Sequence, residues 1–423
     1  MTNATTPLLD PTSSTAAASD QPPDAVAEAG GPAAPGGQPS RRHVLRMVGY
    51  GGLVVLAAGS GALGYRVYDT AVLDPGSGKA YDPWRHWRDT PGPLGAVGAA
   101  ILAANPHDTQ PWLFHVTDTA VDVYADPARS LGTVDPLLRE MHVGLGCAVE
   151  NVVLACRARG LQPTVGLLPD GPRGARVAHV ALTAAAVRAS ALHDAIGRRH
   201  TDRGPYDGRP VPAAALAGLV DTTGLPGLAV YWVTAAADMA ALGTLLVDAA
   251  TALTHDQQQS MDSFAWFRAD DDAVQRHQDG LTLDAQGLSP LVLSLGKLLP
   301  ASSRSAGDAF WVGQTRTVHT ATAAAYGVIT ATDPYDRTVE LEAGRLLQRI
   351  HLTATVEGIA LQCLNQITER VDRELTTGAA ATFAPRFADL LPPGARPVIT
   401  FRVGHPARAA RPSPRRPVAA VTR

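Results

Sequence analysis

The chain has 423 residues, with 36 lysines and arginines against 39 aspartates and glutamates and a formal charge of −3. A charge this close to neutral excludes a generally basic nucleic-acid-binding protein. Hydrophobic residues make up 45% of the chain and charged residues 18%, so the sequence can bury a sizeable core, and its length allows two or three domains. The three cysteines, Cys147, Cys156 and Cys363, cannot form a disulfide framework and lack the spacing of a zinc site.

The first 66 residues are expected to lie outside the folded core. Residues 1–40 are mostly Ala, Pro, Ser, Thr, Gly and Asp, a composition typical of disorder. Residues 40–46, Ser-Arg-Arg-His-Val-Leu-Arg, resemble a twin-arginine export signal, and an uncharged stretch follows from Met47 to Tyr65. We therefore predict a disordered region at 1–46, a signal or anchor at 47–66, and export to the membrane or beyond it. An ordinary basic flank on a membrane helix explains the same residues, and cleavage of the signal stays open.

Two segments repeat one helical pattern at an offset of 198 residues. The segments are 146–161 and 344–359. In each of them, apolar residues recur three or four positions apart between two glycines. This spacing predicts two amphipathic helices, each ending at a glycine before a strand. Arg139 and Arg337 match at the same offset. Chance similarity between two helices rich in Ala and Leu is the alternative.

A second pair of segments supports an internal duplication. Residues 101–116 and 219–233 both have the pattern of a helix end, a turn and a strand. The halves are therefore predicted at about 67–190 and 191–405, followed by a basic Pro/Arg tail at 406–423. The second half contains roughly 80 extra residues near 245–320, which we interpret as a lid.

Residues 105–112, Asn-Pro-His-Asp-Thr-Gln-Pro-Trp, form a polar turn that leads directly into a strand. Pro106 and Pro111 restrict its backbone, so its amide and carboxyl groups can be held against the edge of a planar heteroaromatic ligand. A proline turn without a ligand is the alternative.

Arginines cluster in two places. Residues 198–203, Arg-Arg-His-Thr-Asp-Arg, put three guanidinium groups and a hydroxyl within six residues, a composition that suits an anion such as phosphate. Arg415 and Arg416 lie beyond the last predicted strand, 398–403. Simple solvation of the basic side chains is the alternative for both clusters.

Together these segments resemble the flavin-dependent nitroreductase family, and most closely its duplicated branch, the Acg-like NAD(P)H nitroreductases of actinobacteria. The resemblance covers about residues 90–420 and rests on the polar turn, residues 198–206, both glycine-ended helices and the terminal Pro-Arg-Arg-Pro. It implies an α+β fold: two nitroreductase-like halves, each a mostly antiparallel sheet flanked by helices, packed as an intrachain pseudo-dimer.

The resemblance also implies one FMN site between the halves. Ordinary members are homodimers in which one subunit supplies an Arg-x-Ser phosphate clamp and the other a turn ending in Gln-Pro-Trp. Here the first half keeps the turn but has no such clamp in 81–100, whereas the second keeps Arg199-x-Thr201 but only a degenerate turn at 221–227. The chain is therefore expected to bind one FMN as a monomer.

By resemblance, Arg199 and Thr201 would hold the FMN phosphate, and 110–114 would line the ribityl chain and the ring. The implied cofactor-binding residues are Arg199, Thr201, Arg203, Asn105, Asp108, Gln110, Pro111, Trp112, Leu113, Phe114, Arg415 and Arg416. Asp108 stands where the family usually has asparagine. A carboxylate at this position disfavours negative charge on the flavin, unless the Asp108 side chain turns to solvent or to an arginine.

The implied function is that of an FMN-dependent oxidoreductase, in which NAD(P)H reduces the flavin and a quinone, nitro compound or similar acceptor reoxidises it. Since the flavin supplies the chemistry, no catalytic side chain is named. Two other classes compete: a non-catalytic flavin-binding or storage protein with a lid over its FMN, and a membrane-attached structural protein with a decayed site. No metal site and no nucleic-acid partner are expected, and the membrane is a partner if the N-terminal segment is uncleaved.

Overall fold

The structure, a computed structural model, describes residues 71–423. The predicted disordered region, the twin-arginine motif and the apolar stretch at 47–66 lie outside these residues. The strands are β1 (Trp112–Thr117), β2 (Ala120–Ala125), β3 (Leu161–Leu167), β4 (Arg176–Ala184), β5 (Leu228–Val233), β6 (Phe267–Arg268), β7 (Leu281–Thr282), β8 (Ala325–Ala331), β9 (Ala360–Cys363) and β10 (Arg396–Gly404). The helices are α1 (Asp82–His86), α2 (Leu94–Ala100), α3 (Arg139–Ala158), α4 (Ala191–Ala195), α5 (Ala213–Gly218), α6 (Ala236–His255), α7 (Gln257–Phe264), α8 (Asp271–His277), α9 (Pro290–Leu298), α10 (Arg304–Gln314), α11 (Arg337–Val356), α12 (Gln366–Thr377), α13 (Phe383–Ala388) and α14 (Val418–Val421).

Eight of the described strands form two antiparallel sheets with the same internal order. The first sheet has the order β1-β2-β4-β3, and the second has the order β5-β8-β10-β9. In each sheet the first strand therefore pairs with the second, the second with the fourth, and the fourth with the third. The short strands β6 and β7 pair in parallel. The predicted α+β class with mostly antiparallel sheets is confirmed.

Helices α3 and α11 match each other at the offset of 198 found in the sequence. Each has 20 residues, and each is followed by a glycine with positive φ: Gly160 at +74° and Gly358 at +68°. A left-handed residue ends an α-helix, and glycine adopts that conformation without a steric cost. The apolar periodicity and the terminal glycines therefore predicted both helices and both helix ends.

The two long helices pack against each other through glycines. A Cβ atom on Gly146 would lie 2.0 Å from the carbonyl oxygen of Leu341, and one on Gly344 would lie 2.0 Å from that of Val143. These contacts are reciprocal at the offset of 198, as they are at the interface of a symmetrical dimer. The predicted pseudo-dimer requires this kind of contact.

Polar contacts flank the glycines. Glu150 of α3 accepts hydrogen bonds from Arg345 at 2.9 Å and from Arg349 at 2.8 Å. The amide of Gln348 donates to Asn151 Oδ1 at 2.8 Å. All five side chains lie at the contact between the two helices, so the halves are joined by buried polar groups as well as by close backbone packing.

The connection between β5 and β8 is much longer than the connection between β1 and β2, and it contains α6 to α10. Leu242 and Leu246 of α6 belong to the same hydrophobic cluster as Val328 and Phe387, so this helix forms part of the core beside the second sheet. The predicted insertion boundary near 245 therefore falls inside α6, and only the part after this helix is separate from that core. Within 71–423, α6 is also the helix that is long and apolar enough to cross a membrane, by length and composition alone.

Five carboxyl groups are buried around the ends of α3, α11 and α12: Asp135, Glu140, Glu340, Glu369 and Asp372. Arg139 pairs with Asp372. Arg337 Nε donates to Nε2 of the His142 ring, and Nδ1 of the same ring lies 2.6 Å from Glu340. Burial is the main cause that raises the pKa of Asp135 to about 6, of Glu140 to about 7 and of Glu340 to about 8. The cluster therefore keeps protons that exposed carboxylic acids have lost at the same pH.

Glu140→Gln is expected to make the protein more stable than the wild type at pH 8. The folded state keeps a proton on Glu140 up to about pH 7, whereas the unfolded chain releases it near the ordinary pKa of 4.5. This proton contributes fully to the free energy of unfolding below pH 4.5, and the contribution is lost as the pH rises to 7. The lost contribution is on the order of 3 kcal/mol. Glutamine is neutral throughout, so the variant avoids that loss.

Urea unfolding at pH 5 and pH 8 measures this effect. Glu357→Gln, at an exposed position just after α11, is the matched control and should follow the wild type at both pH values. A Glu140→Gln variant that loses as much stability between pH 5 and pH 8 as the wild type would show that Glu140 is ionised in the folded state throughout.

Candidate functional site

Arg199 lies where the two halves meet. It follows α4, whose first turn is capped by Ser190, and a short 3₁₀ turn, and it is 2% exposed. Its Nη2 atom donates to the carbonyl oxygen of Leu102 in the first half at 3.0 Å, and its Nη1 atom donates to His351 Nδ1 in the second half at 3.3 Å. Its Nε atom is buried and has no hydrogen-bond partner within residues 71–423.

The polar turn at 105–112 is held by its own side chains. Asn105 Oδ1 accepts a hydrogen bond from the backbone N–H of Gln110 at 2.8 Å, and its amide donates to Asp108 Oδ1 at 3.3 Å. His107, Asp108 and Gln110 have φ values of +46°, +55° and +52°, a conformation that costs energy for residues with a side chain. The surrounding contacts therefore impose this shape, and they aim the Asp108 carboxyl group inward.

The C-terminal tail returns to this turn. Arg415 is 3% exposed; its guanidinium pairs with the Asp108 carboxylate and donates to the carbonyl oxygen of Ala103 at 3.3 Å. The backbone N–H of Arg423 donates to the carbonyl oxygen of Phe114 at 2.8 Å, so the tail adds to the edge of the first sheet. The alternative of a tail that is simply solvated is wrong for this part of the chain.

Positive charge is in excess at this place. The charge of Arg415 lowers the pKa of Arg199 and that of Arg203. Asp108 offsets the charge of all three arginines, and Asp202 also offsets that of Arg203. Burial, followed by the charge of Arg415, lowers the pKa of Arg199 to about 9. Burial also raises the pKa of Asp108 to about 7 in spite of the neighbouring Arg415. We refer to Arg199, Arg203, Arg415 and Asp108 as the arginine cluster.

The arginine cluster fits a phosphate group. The Nε atoms of Arg199 and Arg415 are both buried without a hydrogen-bond partner among the described residues. A buried N–H group without a partner, and a buried charge without a counter-charge, both cost free energy. A phosphate has several acceptor oxygens and a double negative charge, so it would satisfy both needs at once, and guanidinium groups bind it in a bidentate manner.

Not all of the predicted cofactor-binding residues join this cluster. Arg416 donates its backbone N–H to Gln110 Oε1 at 2.8 Å, but its guanidinium lies towards Arg129 and two aspartates instead. Trp112 and Phe114 are fully buried in a hydrophobic cluster that contains residues of both halves, and Leu113, which alternates with them along β1, is half-buried. The Thr201 side chain makes no hydrogen bond within 71–423. Pro111 is buried directly before the same strand.

A short piece of the insertion, residues 278–280, covers the polar turn, and we call it the lid segment. Gln110 Nε2 donates to the carbonyl oxygen of Gln278 at 2.9 Å, and the N–H of Gly280 donates to the carbonyl oxygen of Asp108 at 3.1 Å. Between them, Asp279 pairs with Arg129, whose Nε donates to the carbonyl oxygen of Thr109. Three residues of the predicted insertion, 278–280, therefore contact the polar turn directly.

Aromatic and histidine side chains that were not predicted from the sequence surround the arginine cluster. The Trp84 ring centre lies 4.9 Å from Arg415 Cζ and 5.9 Å from Arg199 Cζ, and its ring meets that of His200 edge-on at 4.5 Å. Burial and the charge of Arg199 lower the pKa of His200 to about 3 and that of His351 well below 6.5. Both histidines are therefore neutral. No motif marks Trp84, since only its position in space connects it to the arginines.

No protein-family model matches the chain. Two Mycobacterium tuberculosis proteins, from strains H37Rv and CDC 1551 and each carrying the name "Putative NAD(P)H nitroreductase", are 32% identical to it over 120 residues, which is 28% of this chain. The chain spans about a third (35%) of the length of these curated relatives. The match supports the resemblance to nitroreductases over that stretch.

Solved structures give weaker similarities. A nitroreductase-like protein of Bacillus cereus is 13% identical, and the superposition covers 56% of this chain and 96% of that chain with a TM-score of 0.29. A nitroreductase of Desulfitobacterium hafniense with bound FMN is 15% identical, with 54% and 95% covered and a TM-score of 0.32. Superpositions at this level carry no argument about this chain.

Proposed function

We propose that the chain binds one FMN between its halves, with the phosphate at the arginine cluster. The observation that carries this proposal is the excess of buried positive charge, together with the unpartnered Nε atoms of Arg199 and Arg415. Arg203, half-buried beside them, adds a third guanidinium. Asp108 keeps its contact with Arg415 in this arrangement, so its negative charge is directed to an arginine and away from the ligand.

We further propose that the protein is an oxidoreductase of nitroreductase type. When bound, FMN would accept hydride from NAD(P)H and pass electrons to an acceptor such as a quinone or a nitro compound. The chain's own residues would bind and shield the cofactor: the arginine cluster holds the phosphate, and the polar turn and lid segment exclude water. The names of the two mycobacterial relatives agree with this proposal.

A second candidate function is non-catalytic flavin binding or storage. The lid segment favours it, since hydrogen bonds from Gln110 and Gly280 and the Asp279–Arg129 ion pair close it over the turn. A lid that stays closed would leave no room for a nicotinamide ring above the flavin. The two candidates share the cofactor and differ in turnover.

Purified full-length protein is expected to contain one FMN per monomeric chain, because the phosphate-binding arginines of one half and the turn of the other form one composite site. Flavin released on denaturation, together with mass by light scattering, measures the ratio. Anaerobic addition of NAD(P)H then separates the candidates: bleaching of the yellow colour indicates an oxidoreductase, whereas a persistent spectrum indicates storage. Colourless protein that takes up no FMN, or two FMN per chain, would refute the composite site.

We also propose that residues 40–66 export the protein and attach it to the membrane. Changing Arg41 and Arg42 together to lysine is expected to block export while flavin binding continues, because a twin-arginine receptor requires the guanidinium pair and a plain basic flank does not. Fractionation of cells that express the variant measures delivery. Unchanged membrane delivery of the double-lysine variant would indicate an ordinary basic flank.

A further inference from the structure

Helix α9 has an apolar face exposed to solvent. Leu291, Val292 and Leu295 are 71%, 49% and 47% exposed, whereas Leu293 is 4% exposed and faces the protein. The three exposed side chains form one stripe, since residues three and four apart share a helix face. A surface helix normally carries polar residues on its solvent side. The one charged residue of α9 is Lys297, and it is mostly buried.

The first described residues are bound beside the same helix. Lys297 Nζ lies 3.4 Å from the carbonyl oxygen of Ala71 and 2.7 Å from Asp284 Oδ1. The backbone N–H of Gly76 donates to the other oxygen of Asp284 at 3.1 Å. Leu73, between these two anchoring points, is 86% exposed. The chain therefore enters the described part of the protein next to α9, with another exposed leucine at that point.

The uncharged apolar stretch ends only a few residues before this point. Residues 47–65 contain no charged side chain and are about as long as a segment that crosses the hydrocarbon core of a bilayer. Six residue steps lead from Tyr65 to Ala71, and at about 3.6 Å for each step they reach at most about 22 Å. A membrane that holds residues 47–65 would therefore lie within about that distance of Ala71.

We propose that the stripe of Leu291, Val292 and Leu295, together with Leu73, rests in the interfacial layer of the lipid bilayer that holds the N-terminal segment. This inference depends on the proposed anchor and adds to it a surface of the folded part. Apolar side chains gain free energy by leaving water for the acyl-chain boundary, and no unpaired charge of α9 opposes this. Since α9 follows the lid segment in the same insertion, the bilayer would contact the insertion that also supplies the lid segment.

The test uses the full-length chain with Leu295→Cys, labelled with an environment-sensitive fluorophore and reconstituted into phosphatidylcholine vesicles. We expect blue-shifted emission that is quenched when the lipids carry brominated acyl chains. Leu375→Cys on α12 and Val187→Cys before α4 are matched controls, since these apolar side chains are 60% and 67% exposed and lie outside the insertion. The wild-type chain, treated in parallel, measures any labelling of its own cysteines.

Quenching at 295 that clearly exceeds quenching at 187 and 375 supports the proposal. Equal, weak quenching at all three positions of vesicle-bound protein overturns it, because the anchor then holds while α9 stays in water. Blue-shifted emission without quenching overturns it too, since protein rather than lipid then covers the stripe. Failure to sediment with the vesicles overturns both the anchor and the inference. The flavin absorbance of the same samples reports the FMN site separately.

Discussion

Gly146→Ala is expected to destabilise the protein severely, because the new Cβ atom would lie 2.0 Å from the carbonyl oxygen of Leu341. The obstruction is backbone, so no side chain can rotate away, and α3 and α11 must separate. Alanine in a helix gains about 1 kcal/mol over glycine, but overpacking a close contact costs about 3 kcal/mol and sometimes more. The clash therefore outweighs the gain, and the halves should lose their tight contact.

Thermal or urea unfolding of the variant measures this loss. Gly313→Ala in α10 is the matched control, because its added Cβ atom meets no atom within 4 Å and it should be neutral or slightly stabilising. Gly344→Ala should resemble Gly146→Ala, since its Cβ atom would lie 2.0 Å from the carbonyl oxygen of Val143. Wild-type stability in the Gly146 variant would show that the helices are farther apart than the structure has them.

Arg199→Ala is expected to lose FMN. Arg199 is the most deeply buried member of the arginine cluster, and its Nε–H is free to bind a phosphate oxygen. One charge-assisted hydrogen bond is worth about 1.5–3 kcal/mol, which corresponds to roughly a tenfold to hundredfold lower affinity. The loss of a guanidinium also reduces the positive charge that attracts the phosphate.

Titration of the apo-protein with FMN, followed by flavin fluorescence, measures the affinity. Arg198→Ala is the control, because Arg198 is adjacent in the chain but exposed, and it should bind FMN as the wild type does. Arg199→Lys should give an intermediate affinity, since lysine keeps the charge but not the planar fork of donors. If Arg199→Ala folds and binds FMN as tightly as Arg198→Ala does, the phosphate lies elsewhere.

Much of the fold was accessible from local patterns. The apolar periodicity of 146–161 and 344–359 and the glycines that follow identified α3 and α11, because helix faces and left-handed helix ends are properties of short segments. The same applies to the polar turn and to Arg199, since both occur within a few residues of sequence. The alternation along β1, by contrast, did not show which of its side chains face the core. In the structure, Trp112 and Phe114 belong to a hydrophobic cluster that contains residues of both halves.

The sequence by itself therefore determined the two long helices, the turn and the arginine-rich segment. Only the tertiary structure decided which of these groups meet. Asp108 and Arg415 pair across 307 residues of sequence, and the lid segment reaches the turn from an insertion whose boundary had been placed inside α6. Trp84 and the reciprocal contact of Gly146 with Gly344 were equally hidden. Such contacts depend on how both halves pack, and a polar or aromatic residue carries no local signal of its distant partner.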